Sequence, residues 1–187
     1  MIPRILRLTL PVLIAAGLAF EASADGARPA PPFPTRDAKH WIGTPATWPD
    51  LRGRVVLLDV WTFGCINCVR SLPWVKDVRT RYADQGLAVV GVHTPEFDRE
   101  RERRNVEEAV AKHGLDYPHL LDVDSAYWKA LENEYWPTAY LVDRCGLLRV
   151  RHIGEVHANE ESGRALEREI RRLLAEPAEC PKSSQAH

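Results

Sequence analysis

The chain has 187 residues, 45% of them hydrophobic and 27% charged, with a formal net charge of −1. That length and balance suit a single folded domain and exclude a disordered chain or a membrane channel. Charge near neutrality, with both signs interspersed, gives no general attraction for nucleic acid or anionic lipid, so no nucleic-acid partner is expected.

Arg4 and Arg7 precede the apolar run Leu8 to Phe20, and Ala22-Ser23-Ala24 follows it. The run is shorter than the ~20 helical residues that span a hydrocarbon core, and its layout is that of an export signal over residues 1–24, cleaved near Ala24. No stable membrane anchor is expected. The mature protein is placed in the periplasm or outside the cell, where disulfides persist. Residues 25–38, DGARPAPPFPTRDA, are rich in proline and poor in apolar anchors, which predicts an extended linker or loose arm. A domain over residues 39–176 and a flexible tail over 177–187 complete the expected division.

Strands and helices then alternate. RVVLLDVW (Arg54 to Trp61) is an almost unbroken β-branched and leucine run, the mark of a strand buried on both faces. From Cys65 onward, Val69, Leu72, Val75, Val78 and Tyr82 recur at three- and four-residue steps, which predicts a helix, kinked at Pro73. LAVVGVH (Leu87 to His93) is a second strand. The run DRERERR is mixed in sign and reads as a solvated face; NVEEAVAKHG after it is a helix stopped by Gly114. PHLLDV is a short strand, SAYWKALEN a helix, and TAYLVD and LLRVRHI form a hairpin around Arg144-Cys145-Gly146. A last helix runs from about Asn159 to Ala175, with Leu166, Ile170, Leu173 and Leu174 on one side. This order is α/β, with parallel crossovers followed by an antiparallel pair.

The stretch WTFGCINC carries the chemistry. Cys65 follows the first long strand and opens a helix, where unpaired N–H groups and the helix dipole favour a thiolate. Cys65 is therefore the expected attacking sulfur, and Cys68, one turn on and turned toward the packing face, the expected resolving one. Two other readings compete. A zinc clamp needs further ligands, and Cys145 and Cys180 do not form a second C-x-x-C. A purely structural bridge gains little from closing so short a loop. In an oxidising compartment Cys145 and Cys180 most simply pair with each other, tying the C-terminal tail to the hairpin turn, the alternatives being two free thiols or a bond between two chains.

Together these residues resemble the thioredoxin superfamily, within it the exported TlpA/ResA-like branch, and WTFGCINC followed by VRSLPWVKDV is most similar to the thioredoxin-like domain of DipZ proteins. The resemblance covers about Trp41 to Ala175. It implies a thioredoxin-like fold, a central mixed β-sheet flanked by helices, with a helix-strand insert between Leu115 and Glu134 ahead of a cis-proline at Pro137. It also implies roles: Asp59 as a buried carboxyl that takes the Cys68 proton, Glu96 as a second carboxylate supporting proton transfer, and Trp61, Trp136 and Pro137 as the client-docking region. His93, a lone histidine at a strand end, earns less weight. Peroxidases of this fold carry a threonine where Thr62 stands, but also a proline where Leu58 stands, so that match is half complete.

The sequence departs from its relatives at Gly64, where most have tryptophan, and at Ile66-Asn67. That dipeptide adds no cation to stabilise a thiolate, which favours a reductant over an oxidant. The expected activity is an exported thiol–disulfide oxidoreductase that reduces disulfides of envelope proteins, cytochrome c maturation being one setting, with a Cys65–Cys68 couple in place of any cofactor or metal. The partners implied are disulfide-containing client proteins and a membrane electron donor of CcdA/DsbD type. A disulfide-forming oxidant, or a metal carrier or docking module that kept the fold without turnover, are the alternatives.

Overall fold

The structure is a computed structural model that describes residues 28–177 and Cys180. The expected export signal and most of the tail lie outside the described residues. In chain order the elements are β1 (Arg28–Pro29), β2 (Trp41–Ile42), α1 (Trp48–Leu51), β3 (Val55–Trp61), α2 (Ile66–Tyr82), β4 (Leu87–His93), α3 (Arg103–His113), β5 (His119–Leu121), α4 (Ala126–Ala130), β6 (Thr138–Val142), β7 (Leu147–Ile153) and α5 (Glu161–Ala175). The strands form one sheet in the order β1-β7-β6-β3-β4-β5-β2.

β3 sits at the centre because every one of its residues is buried. It pairs in parallel with β4 and antiparallel with β6, which places Asp59 between Gly91 and Ala139 and Val60 opposite Thr138. Alternation along the strand then divides the core. Val55, Leu57 and Trp61 face α2, α3 and α5 through Leu72, Val75, Val78, Val106, Val110, Leu166 and Ile170. Val56, Leu58 and Val60 face a second cluster with Trp41, Tyr127 and Leu131. The expected helix face on α2 is buried except for half-exposed Val69, and Trp74 joins it. Helix α2 continues through Pro73. Gly114 ends α3 with φ of 61°, a left-handed position that glycine adopts without penalty. The insert ahead of β6 is present as β5 and α4, and the Trp136-Pro137 peptide is cis.

The proline-rich segment requires a correction. From residue 28 it is extended, as its prolines dictate, but it is not a loose arm. Arg28 and Pro29 pair antiparallel with Leu148 and Leu147 on one edge of the sheet, and Trp41 and Ile42 pair with β5 near the other. Between them the chain is fastened to the second core. Phe33 lies against Trp41, Trp48 and Tyr127 with ring centroids 4.9 to 5.3 Å apart. The indole N–H of Trp48 donates to the Pro31 carbonyl (2.7 Å) and that of Trp41 to the Thr35 carbonyl (2.9 Å). Proline suits this strap because its missing N–H leaves fewer donors to satisfy. Phe33→Ala is expected to cost about 2–3 kcal/mol, below the range for a fully buried ring, read as a lower urea midpoint. An unchanged midpoint would return the segment to a loose arm.

Cys145 and Cys180 form a disulfide with their Cα atoms 5.4 Å apart, across a separation of 35 residues. Cys180, which belongs to the tail expected to be flexible, is thus tied to the β6–β7 turn. Closing a loop of that length stabilises by about 3–4 kcal/mol in the chain-entropy account.

Candidate active site

Cys65 is the N-cap of α2: its Sγ accepts from the Cys68 backbone N–H at 3.4 Å, and its own N–H donates to the Thr62 carbonyl at 3.3 Å. The cap arises because β3 ends at Trp61 and the chain turns through Thr62, Phe63 and Gly64 into the helix, leaving the first helical amides without intrahelical acceptors. Both cysteines are free thiols, but they differ in exposure. Cys65 is half-exposed and Cys68 is 1% exposed. Burial pushes the Cys68 thiol far above its ordinary range, with smaller upward contributions from its contact with Cys65 and from the charge of Asp59.

Asp59 lies in the interior of β3 and is 4% exposed. Desolvation raises its carboxyl from the ordinary 3.8 to about 7, partly opposed by a hydrogen bond that the Tyr117 hydroxyl donates to Oδ2 at 3.4 Å. A carboxyl with a pKa near neutrality, electrostatically coupled to a buried thiol, suits proton transfer.

Trp61 requires correction as a docking residue. It is fully buried, with its indole N–H donating to Nδ1 of His119 at 3.2 Å, so it supports the site from beneath. His93 is also buried, between Trp61 and Phe63, and burial lowers its pKa to about 4, so it is neutral at physiological pH. Thr62 is fully buried, its Oγ1 3.4 Å from Nε2 of His93. That places the threonine hydroxyl within the core rather than at the surface where a peroxide would arrive.

Trp136 and Pro137 reach the same end of the sheet as Cys65, because β6 begins where β3 ends. Trp136 is half-buried; its indole packs tilted against Trp128, with ring centroids 4.1 Å apart, and donates to the Thr94 carbonyl at 3.2 Å. The Thr94 hydroxyl in turn donates to Asp122, whose carboxylate accepts from the Tyr127 and Trp128 amides at the start of α4. The insert therefore anchors the proline loop, a connection without a local sequence signal.

Glu96 is exposed. The carboxylate buried at this turn belongs to Glu100, 1% exposed, within the charged run expected to be solvated. Its Oε2 accepts from the Glu96 and Phe97 amides at 2.6 and 3.0 Å. The only advance sign was glycine at position 64, which leaves the room that Glu100 fills. Among the described residues no cluster of histidine, cysteine, aspartate or glutamate is arranged to hold a metal ion.

The fold and the paired cysteines define a thioredoxin-like thiol–disulfide oxidoreductase, related to proteins of the DipZ type. Residues 27–151 match the AhpC/TSA family, and the chain belongs to it. Protein DipZ of Mycobacterium tuberculosis is 44% identical over 119 residues, 62% of this chain but 17% of that protein, so the chain spans less than a fifth of that relative. Thiol-disulfide oxidoreductase YkuV of Bacillus subtilis is 33% identical over 139 residues, covering 74% of this chain and 90% of that one. The crystal structure of a thiol-disulfide isomerase from Corynebacterium glutamicum superposes with a TM-score of 0.66 at 23% identity, over 79% of this chain and 98% of that one, a likeness of fold.

Proposed function

We propose that this oxidoreductase works as a reductant of disulfides in exported proteins, apocytochrome c among them. The Cys65 thiolate attacks a client disulfide, whose S–S bond breaks as one client sulfur leaves and takes up a proton. Cys68 then gives its proton to Asp59 and attacks the mixed disulfide, releasing the second client thiol and leaving the oxidised Cys65–Cys68 pair. Two electrons pass to the client, and a membrane donor of CcdA/DsbD type returns them.

The observation that carries the reductant reading is the charge around the pair. Ile66 and Asn67 contribute no cation, and Arg70, the first basic residue of α2, is paired with Glu155 at 3.5 Å. Oxidants of this fold owe their high potential to a stabilised thiolate, which a neutral dipeptide does not supply. Protein clients are supported by the rim. Among the described residues, the exposed large hydrophobic side chains Ile66, Phe97, Tyr135 and Ile153 all fall at the end of the sheet that bears Cys65. Pro137 and Trp136 belong to the same docking region. Export through a signal over residues 1–24 and cleavage near Ala24 complete the reading.

A redox titration of the Cys65–Cys68 couple against glutathione or dithiothreitol tests the direction. The expected potential is about −250 mV, within the reducing range of this fold. A value at or above roughly −150 mV would assign it to disulfide formation instead.

A further inference from the structure

The loop from Phe97 to Glu100 closes over the turn that leads into Cys65. Arg99 sets its guanidinium 5.8 Å from the centroid of the Phe63 ring. Glu100 approaches Gly64: a β-carbon at position 64 would collide with Oε1 and lie 3.3 Å from Cδ2 of Phe97. That Oε1 is buried and has no hydrogen-bond partner. Burying a carboxylate oxygen without a donor is costly, and the two amides bound to Oε2 provide the compensation. Those amides belong to Glu96 and Phe97, so the carboxylate fixes the backbone that presents the Phe97 ring. The ring itself is 51% exposed and stands on the same rim as Ile66.

We propose that Glu100 is a positioning residue for client specificity: seated in the space that Gly64 leaves open, it fixes Phe97 beside Cys65, where the ring receives a bulky apolar side chain next to the client's disulfide. The proposal rests on the reading of polypeptide disulfides as substrates. Oε2 of Glu100 is occupied by backbone amides, and the carboxylate has no part in the sulfur exchange. Gly64 is then explained as well. A larger residue there would displace the carboxylate and with it the loop, so glycine at 64 and glutamate at 100 form one device.

The test compares insulin with a small aromatic disulfide, dithionitrobenzoate, as substrates of the full chain and its variants. Glu100→Ala and Phe97→Ala are each expected to raise KM for insulin about 5- to 10-fold, the worth of one apolar contact, with kcat within about 2-fold. Glu100→Ala should leave the rate with the small disulfide at the parent value. Glu100→Gln keeps the shape and an acceptor oxygen and should restore insulin KM. Gly64→Ala should reproduce the Glu100→Ala effect, and the double variant should add nothing further. A parallel fall with both substrates would overturn the proposal, because Glu100 would then act on the cysteines or the fold. Unchanged insulin kinetics in Glu100→Ala would overturn it too. A parent chain active on the small disulfide but inert toward insulin would defeat the client reading beneath it.

Discussion

Cys65→Ser and Cys68→Ser should each abolish turnover with a protein disulfide, a loss of about 1,000-fold or more, yet only Cys68→Ser should accumulate a mixed disulfide with its client. The asymmetry follows from burial. Cys65 is half-exposed at the helix terminus, where an incoming disulfide can meet its sulfur. Cys68 is 1% exposed and its thiolate is disfavoured by desolvation, so it cannot start the exchange and is reached only from within, by the sulfur of Cys65. Without Cys68 the first bond forms and nothing inside the protein breaks it. Non-reducing gels of cell extracts would show the Cys68→Ser adducts, and mass spectrometry would place the bond on Cys65. Adducts on Cys68 in the Cys65→Ser variant would reverse the assignment of roles. Alkylation of the reduced parent chain gives a second view: Cys65 should be modified first and Cys68 only on unfolding.

The pair, its strand and its helix were legible because they are local. A β-branched run buried on both faces, followed by Cys-x-x-Cys and a 3.6-residue apolar period, leaves few other folds. Asp59 and Pro137 were found through resemblance, since neither has a period or spacing that marks it. What escaped is tertiary. A two-residue strand such as Arg28–Pro29 has no pattern to detect, and the strap following it is held by one phenylalanine and two indole N–H groups that composition alone treats as incidental. Glu100 escaped for the opposite reason: a run of alternating charges averages to a solvated face, and only the space above Gly64 and the two loop amides it accepts from single out one residue of the seven. Trp61 was misplaced because its position in the chain, at a strand end beside the site, does not reveal that His119 and His93 close over it.

Asp59→Asn should make the protein more stable and less active, and both effects should depend on pH. In the folded state burial raises the carboxyl to about 7 against an ordinary 3.8. Well below pH 3.8 the group is protonated in both states and contributes nothing to the difference. Between about 4 and 7 the unfolded chain has lost the proton that the folded chain retains, so stability falls as pH rises through this interval and levels off above it. At about 1.4 kcal/mol per pH unit the full cost approaches 4 kcal/mol, and the asparagine variant should recover about 2–4 kcal/mol at pH 8 and almost none at pH 3.5. Urea unfolding at the two values measures it. Activity moves the other way. Only ionised Asp59 can accept the Cys68 proton, so the resolving step of the parent should accelerate as pH passes 7, while the variant lacks that rise and is slower by roughly 100-fold at pH 8. Single-turnover release of a client thiol from the Cys65 mixed disulfide isolates that step. A variant that releases it as fast as the parent from pH 6 to 9 would remove Asp59 from the proton path, whatever its stability; a variant slower at pH 8 but no more stable there would keep the path and refute the desolvation cost. The buried carboxylate is thus expected to weaken the fold at the very pH where it serves the second cysteine, which is the balance a site tuned for exchange rather than for stability would strike.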